Sequence, residues 1–420
     1  MIFKQIANWK GALVAAVLTS AAPGCSAGYD WSECKVDADC DEFESGGNRL
    51  VCRSEQCVAP TAGKLPRIAY LYVGPVGDYG WTKTHDEGRL ALQVAFPTLE
   101  TTFEPSVAPA DAPAVIDQLI ADGFDLIVGT SHDFLSQMQS AAANNPNTKF
   151  LLTAGFVTAP NLGSYMGRMY QAKWLAGRLA AKVSKTHRLG YVSSIVIPET
   201  IRHINAFTLG ARSVDPEAVV MTTFIGAWFA PDDETAAANR LIDYGVDVIT
   251  NGTDTPSTIE AAEKRTTSDG RQVLSIGYDN PTTCTLFGPK GCVASAYYNW
   301  GPMMNRLIVS MRDGTWNPNV VVWDPMTGDS ATSPVYLTSP SQSLVPTAVR
   351  VDVESFIQQF ASGEFDVFEG NIKDNKGTLR AGLDDEDLLR MCWFVDGVVE
   401  PAAAAPFAPK VAATGCVGDP

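Results

Sequence analysis

The side chains best suited to bind a ligand recur at one kind of position, just after apolar runs that are typical of buried strands. They are aromatic, acidic or hydrogen-bonding residues: Trp81, Thr82, Phe134, Phe156, Glu199, Asn205, Trp228, Asp254, Asp279 and Trp300. Aromatic rings stack on flat molecules, and carboxylates accept hydrogen bonds from N–H groups. The set predicts a site for a planar heteroaromatic ligand.

Each of these residues also has an ordinary structural explanation. A single aromatic ring after a strand usually packs in the core, and Asp279 would suit a turn. Glu199 would suit the first turn of a helix, where Arg202 could pair with it at the surface. We favour a binding site because successive strand ends all offer aromatic or acidic groups.

The sequence lacks motifs typical of nucleotide or covalent chemistry. Gly74, Gly77 and Gly80 follow a strand with the wrong spacing for a dinucleotide loop. Neither a GxxxxGK[ST] phosphate loop nor a GxSxG nucleophile elbow occurs. The four histidines show no metal-ligand spacing. We therefore predict a protein that is not an enzyme and that needs no cofactor or metal.

The elements that would position these side chains alternate regularly. Seven short apolar runs between Arg67 and Asp279 predict buried strands, and helical periodicity fills the intervals between them. Such alternation predicts an α/β fold with parallel sheets and right-handed crossovers. Ligands of these sheets bind beyond the carboxyl ends of the strands, which is where the candidate residues fall.

Size and charge narrow the class of protein. About 360 residues follow the cysteine-rich segment, which is more than one core usually supports, so we expect two lobes. The net charge is -16 and no run of lysine or arginine occurs, which argues against nucleic acid as a partner.

The N-terminus predicts export. Two lysines precede an apolar stretch over residues 11–20, which has signal-peptide length and is too short to span a bilayer. Small residues then precede Cys25, as at a bacterial lipoprotein cleavage site. We predict a signal peptide over 1–24 and a lipid anchor on Cys25; ordinary cleavage nearby is the alternative. Ser26 slightly favours an outer membrane.

The nine cysteines are consistent with an oxidising compartment, because lipidation of Cys25 would leave an even number. Besides Cys25, the polar segment 25–63 contains a cluster of four, Cys34, Cys40, Cys52 and Cys57, and it is too short to bury a core. We expect two disulfides there, with a zinc site as the alternative. Further along the chain, we expect Cys284 to pair with Cys292 and Cys392 to pair with Cys416.

Several long motifs make the chain similar to a known family. They cover residues 77–90, 165–181, 190–215, 277–280 and 299–303. In them the chain resembles the basic membrane protein family of solute-binding lipoproteins that serve ABC importers. The resemblance implies a type I periplasmic-binding fold, in which two Rossmann-like lobes with parallel sheets are joined by a multi-segment hinge. It also implies an ABC permease and ATPase as partners.

The resemblance divides the chain and suggests a ligand. Its implied boundaries are a spacer over 25–63, lobe I at about 64–170 and 278–335, lobe II at about 171–277 and 336–400, and an Ala/Pro-rich tail over 401–420. Nucleoside-binding members carry Phe-Asn-Asp where this chain has Trp81-Thr82-Lys83, and they use a lysine near the last cleft strand that is absent from 298–300. These departures favour a bare purine nucleobase, adenine-like, over a nucleoside.

The resemblance also suggests roles for the candidate residues. Trp81 with Phe156 or Trp228 would sandwich the ring. Asp279, which matches the family's Gly-x-Asp motif, would accept N–H groups together with Asp254 or Glu199, and Asn205 would read an acceptor nitrogen. The hinge is expected near 277–280. A nucleoside-binding or ligand-sensing protein of the same fold, a sugar-binding protein and a secreted hydrolase remain alternatives.

Overall fold

The computed structural model describes residues 63–400 and, before them, only the backbone of four short strands. Those strands form two antiparallel pairs: β1 (Glu44–Ser45) with β2 (Asn48–Arg49), and β3 (Val51–Arg53) with β4 (Gln56–Val58). The chain divides into two compact units, residues 1–61 and 62–420. The predicted signal peptide, Cys25 and the tail 401–420 lie outside the described residues.

The second unit alternates strands and helices as the sequence predicts. Its strands are β5 (Ile68–Leu71), β6 (Thr101–Glu104), β7 (Leu126–Gly129), β8 (Lys149–Thr153), β9 (Leu162–Gly167), β10 (Arg188–Ser193), β11 (Val219–Phe224), β12 (Val248–Gly252), β13 (Leu274–Asp279), β14 (Cys292–Tyr298), β15 (Val322–Asp324), β16 (Val335–Leu337), β17 (Ile372–Lys373), β18 (Leu379–Arg380) and β19 (Val398–Val399). Its helices are α1 (Trp81–Ala95), α2 (Ala112–Ala121), α3 (Leu135–Asn144), α4 (Met169–Val183), α5 (Pro198–Arg212), α6 (Pro231–Asp243), α7 (Ser257–Glu263), α8 (Thr283–Phe287), α9 (Trp300–Arg312), α10 (Thr347–Ser362) and α11 (Asp385–Leu389).

Two large sheets organise these elements, and each forms the centre of one lobe. The six-stranded sheet of lobe I is parallel, in the order β15-β9-β8-β7-β5-β6. The sheet of lobe II has seven strands, in the order β16-β14-β13-β12-β10-β11-β19, and only β16 runs antiparallel. The predicted α/β class with two sheet-centred lobes is confirmed.

The strands of these sheets are apolar because helices cover both faces. β5, β7 and β12 are buried along their whole length. Parallel strands buried on both faces have continuous rather than alternating apolar sequences, and this is why the runs could be recognised without the structure.

The polypeptide passes between the lobes at different points from those predicted. We placed residues 278–335 in lobe I, but β14 pairs with β13, and β16 pairs with β14, in the sheet of lobe II. The short helix α8 returns the chain to the same sheet before it crosses at Asn299. Only α9, which packs on α1, and β15 belong to lobe I in this segment.

The same connectivity places the crossings between the lobes away from the expected hinge. The chain passes between the sheets after β9, after β14 and after β15. Residues 277–280, where we expected the hinge, end β13 and lead to α8 within lobe II. That expectation was wrong, because a strand that continues into its own sheet cannot be a crossover.

Disulfide and membrane features complete the description. The predicted Cys284–Cys292 disulfide is present and ties α8 to the start of β14. Cys392 is also disulfide-bonded, and its expected partner Cys416 lies outside the described residues. Within 63–400, no helix combines the length and the apolar character that crossing a membrane requires.

Helices α4 and α5 pack at very short range inside lobe II. A Cβ atom on Gly177 of α4 would lie 1.8 Å from the carbonyl oxygen of Phe207, and one on Gly210 of α5 would lie 2.0 Å from that of Trp174. Only glycine at both positions allows the two backbones to touch. This contact fixes α5, whose first turn carries Glu199.

We predict that Gly177→Ala lowers the free energy of unfolding by about 1–3 kcal/mol, because the added methyl overpacks a backbone contact. In an uncrowded helix the same change would stabilise by roughly 0.5–1 kcal/mol. Urea unfolding measures the difference. Gly77→Ala is the matched control, since a Cβ at this exposed loop position meets no atom within 4 Å. A stabilised Gly177→Ala protein would contradict the close approach of the helices.

Candidate functional site

A cavity lies between the two lobes at the carboxyl ends of their strands. It is narrow in this closed form, with a volume of about 20 Å³. Lobe I contributes Val73, Trp81, Ser131, His132 and Ala154, and lobe II contributes Glu199, Trp228, Asp254 and Tyr278. The strands whose ends reach the cavity are β5, β7, β8, β10, β11, β12 and β13. The site is therefore where a parallel α/β fold is expected to bind a ligand.

The lobes touch on one side of this cavity. A Cβ atom on Gly80 of lobe I would lie 2.2 Å from the carbonyl oxygen of Asp254 in lobe II. Beside this contact, the ring of Tyr79 meets the ring of Phe287 edge-on, with centroids 5.1 Å apart. The structure thus has the cleft in a closed form, with the cavity between the lobes.

Trp81 forms an aromatic wall that residues of both lobes hold in place. It is only 8% exposed, and its Nε1 donates to the carbonyl oxygen of Thr130. Its ring packs edge-on against Tyr298 and Trp300, at 5.3 and 5.4 Å, and these two rings stack on each other at 4.5 Å. The orientation of Trp81 is therefore set before any ligand arrives.

Trp228 faces the cavity from lobe II and is held differently. It follows β11 in a loop and is half-buried. Its carbonyl oxygen accepts the backbone N–H of Asp254 at 3.0 Å, which joins the loops after β11 and β12. Trp228 can therefore be removed with less damage to the core than Trp81.

Glu199 places a carboxyl at the cavity from the first turn of α5. Pro198 begins this helix, and the side chain of Glu199 is 8% exposed. Burial raises the pKa of Glu199 to about 7, and the charge of Arg202 opposes this shift. Arg202 is itself buried and donates to the carbonyl oxygen of Leu388 at 2.7 Å.

Asp254 places a second carboxyl at the cavity and is more deeply buried, at 4% exposure. Burial raises its pKa well above the ordinary value, and the neighbouring carboxyls of Asp279 and Asp78 raise it further. Asp78 is a structural acid, since it accepts the backbone N–H groups of Gly80, Thr82 and Lys83 at the start of α1.

Asp279 is not among the cavity-lining residues. It is fully buried at the end of β13 with a φ of +64°. Burial raises its pKa, and the positive charge of Lys173 opposes the shift. The Lys173 Nζ donates to the carbonyl oxygen of Asn251 at 2.6 Å and lies 3.6 Å from the ring centre of Tyr278, so it supports the wall from behind.

The structure brings four of the ten predicted residues to the cavity, namely Trp81, Glu199, Trp228 and Asp254. It places the others elsewhere. Phe134 is in the core of lobe I, and Phe156 packs edge-on against Trp323 at 5.6 Å. Thr82 and Trp300 are buried behind Trp81. Of the two expected sandwich partners of Trp81, Trp228 lines the cavity and Phe156 does not.

Asn205 has a structural role in place of the predicted ligand contact. Its Nδ2 donates to the carbonyl oxygen of Trp393 at 2.8 Å, and its Oδ1 accepts the N–H of Val395 at 3.0 Å. Both ends of the amide are used to hold the C-terminal segment against α5. No atom of the fully buried side chain is left for a ligand.

Three lining residues with polar or aromatic side chains were missed. Ser131 and His132 follow β7, but the strand-end pattern drew attention to Phe134 beside them. Tyr278 was passed over in favour of Asp279, although neighbours in a strand face opposite sides of the sheet and only one can face a ligand. Residues 63–400 contain no cluster of side chains suited to hold a metal ion.

We predict that the ligand-free protein becomes less stable as the pH rises from 4.5 to about 7, because folding then places the ionised Glu199 in a buried site. The raised pKa means that the folded state holds the proton of Glu199 more tightly than the unfolded state does. The stability that follows from this is therefore present at low pH and is lost as the pH rises. Replacing Glu199 with Gln should reduce the loss by up to about 3 kcal/mol. Urea unfolding of both proteins at pH values across this range measures the loss of stability.

The exposed Glu217 provides the control, as Glu217→Gln should leave the slope of stability against pH unchanged. An identical slope for Glu199→Gln and the wild-type protein would contradict the burial of an uncompensated carboxyl at this position.

Comparison with known proteins places the chain among transport proteins. Residues 65–327 match the family described as ABC transporter substrate-binding protein, PnrA-like. A purine-binding protein of Brucella abortus is 34% identical over 79% of this chain and 92% of its own length. A putative ABC transporter glucose-binding protein of Haloferax volcanii is 33% identical over 81% and 82%.

A solved structure supports the fold. An ABC transporter solute-binding protein from Aeropyrum pernix K1 superposes with a TM-score of 0.60 at 18% identity, covering 77% of this chain and 95% of its own. The resemblance to the basic membrane protein family that the motifs indicated is confirmed. The chain belongs to the PnrA-like family of ABC transporter substrate-binding proteins.

Proposed function

We propose that this protein captures a purine nucleobase, adenine-like, in the interlobe cavity and delivers it to the permease and ATPase of an ABC importer without chemical change. The observation that carries the proposal is the pairing of two tryptophans with two carboxyls around one small cavity. Trp81 and Trp228 supply flat apolar surface from opposite lobes, and Glu199 and Asp254 supply hydrogen-bonding groups. Heteroaromatic bases need both.

The lining of the cavity supports a bare base over a nucleoside. In this closed form its volume of about 20 Å³ holds little more than one water molecule, so the lobes must separate to admit any ligand. A ribose would add several hydroxyl groups, each of which needs a partner when buried. The polar lining side chains are Ser131, His132, Glu199 and Asp254, with the hydroxyl of Tyr278.

The charge of the cavity argues against an anionic ligand. Neither lysine nor arginine is among its lining residues. A phosphate or carboxylate would therefore be buried beside Glu199 and Asp254 without a cationic partner, and a buried unpaired charge is costly. Nucleotides and organic acids therefore fit poorly.

Glucose is the second candidate. One relative is described as a putative glucose-binding protein, and carboxylates also accept hydrogen bonds from sugar hydroxyl groups. Aromatic rings can pack on the apolar face of a sugar as well. The raised pKa values of the two carboxyls weigh against it, since sugar recognition would use ionised acceptors. The cavity offers two tryptophans but few hydroxyl-reading groups, which favours the base.

The remaining parts of the proposal concern location. An exported chain with a signal peptide over 1–24 and a lipid on Cys25 would hold the binding domain at a membrane surface, with the cysteine-rich segment 25–63 as a spacer. Substrate-binding proteins of ABC transporters operate outside the cytoplasm, which supports this arrangement. The acceptor would be the importer itself, and a sensing role is the alternative.

We predict that adenine binds the purified, ligand-stripped protein with about micromolar affinity or tighter, roughly -8 kcal/mol, and that adenosine and glucose bind at least about tenfold more weakly. Isothermal titration with the three compounds measures this. Tighter binding of glucose than of adenine would replace the proposal with the sugar alternative. Binding of adenosine in preference to adenine would show that the cleft opens further than this closed form.

We further predict that Trp228→Ala weakens adenine binding by about tenfold or more, because one stacking surface is lost at roughly 1–3 kcal/mol per base. Phe229→Ala is the matched control: Phe229 is the next residue, 45% exposed, and is not among the lining residues. Both variants should unfold at the temperature of the wild-type protein within a few degrees. Equal affinities for the two variants would remove Trp228 from the site.

A further inference from the structure

Asp254 occupies the point where the loops of the two tryptophans meet. Its backbone N–H donates to the carbonyl oxygen of Trp228, 3.0 Å away. Its own carbonyl oxygen lies against the backbone of Gly80, the residue before Trp81. Its side chain lines the cavity at 4% exposure. A ring between the tryptophans would therefore have Asp254 at its edge.

The Asp254 carboxyl has no positive partner in the described part of the chain. The largest electrostatic influences on it come from acids: Asp279 on β13, Asp78 before α1, Glu234 on α6 and Glu199 on α5. Neither a side-chain hydrogen bond nor an ion pair of residues 63–400 involves its oxygens. His132 lines the same cavity from lobe I, and its titratable group is a ring nitrogen.

The nearby cations are engaged elsewhere. Lys173 donates to Asn251, lies on the ring of Tyr278 and acts electrostatically on Asp279. Arg202 donates to Leu388 and acts on Glu199. An ionised Asp254 would thus be a buried negative charge among other carboxyls, which a protein normally avoids by keeping the group neutral.

A neutral carboxyl has a different recognition pattern from a carboxylate. It carries one O–H donor next to one carbonyl acceptor, whereas a carboxylate only accepts. Adenine presents the complementary pair, an amino group beside a ring nitrogen, and side-chain amides read this pair with two hydrogen bonds. A carboxylate would satisfy the amino group and repel the lone pair of the adjacent nitrogen.

We propose, resting on the purine site proposed above, that Asp254 reads the base as a neutral acid: its O–H donates to a ring nitrogen while its carbonyl oxygen accepts from the adjacent N–H group. The ligand class is then a planar heterocycle with a donor directly beside an acceptor. Burial and the surrounding carboxyls hold the pKa of Asp254 well above its usual range, which favours the form that carries the donor.

Asparagine is the close mimic of this form, because its amide carries the same donor and acceptor without a titrating proton. Asp254→Asn should therefore bind adenine within about threefold of the wild-type protein, as expected when one neutral hydrogen bond replaces another. Asp254→Ala should bind about tenfold more weakly or worse, since both ring positions lose their partner. Asp232→Asn, at an exposed position on α6, controls for the change of net charge.

The test is the ratio of the wild-type Kd to the Asp254→Asn Kd for adenine, measured calorimetrically between about pH 6 and pH 8.5. The ratio isolates Asp254, because Glu199 titrates in both proteins. The proposal expects a ratio near one at the acid end that stays constant or rises with pH, as ionisation removes the donor from the wild-type protein only.

Two results would overturn the proposal while leaving the purine function standing. One is a ratio that falls as the pH rises, because the ionised carboxyl would then be the binding form. The other is Asp254→Asn binding as weakly as Asp254→Ala, which would show that a charged acceptor is required. Failure of the wild-type protein to bind any purine would instead remove the proposed function, and this inference with it.

Discussion

The close approach of Gly80 to the carbonyl of Asp254 is the contact on which the site depends. With any side chain at residue 80, the lobes would be forced apart, since a Cβ atom would lie 2.2 Å from that oxygen. The contact closes one side of the cavity, whose volume in this form is about 20 Å³. It also sets Asp254 beside the loops that carry Trp81 and Trp228. The closed form of the cleft and the position of Asp254 beside Trp81 and Trp228 therefore depend on one backbone contact.

Burial of acids within the closed cleft explains the chemistry that the site can offer. Glu199 and Asp254 are both buried, and burial raises the pKa of each. The buried cations Lys173 and Arg202 support the wall and the C-terminal segment in place of the ligand. A ligand that supplies N–H donors is thus better matched than one that supplies negative charge. Membership of the PnrA-like family of substrate-binding proteins is consistent with such a small organic ligand.

The sequence was sufficient for the fold and for part of the site, for a physical reason. Parallel strands buried on both faces are continuous apolar runs, and their carboxyl ends meet at one edge. This rule selected Trp81, Glu199, Trp228 and Asp254, and all four line the cavity. It does not tell which of several adjacent side chains faces the ligand, and so Phe134 was chosen where Ser131 and His132 line the wall.

Other errors came from contacts between distant segments. Asn205 binds residues 393 and 395, which no local pattern could reveal. The lobe boundary was misplaced because α8 is too short to be distinguished from a loop, yet it returns β14 to the sheet of lobe II. Lys173 lies in an amphipathic helix pattern that gives no sign of its position on Tyr278.

A crystal structure of the protein grown with adenine tests the central claim most directly. The account predicts a closed cleft with the base between Trp81 and Trp228 and its amino edge within hydrogen-bond distance of Asp254. Adenine bound outside the cleft, or a closed cleft whose cavity contains a sugar retained from the cell in place of the base, would contradict it.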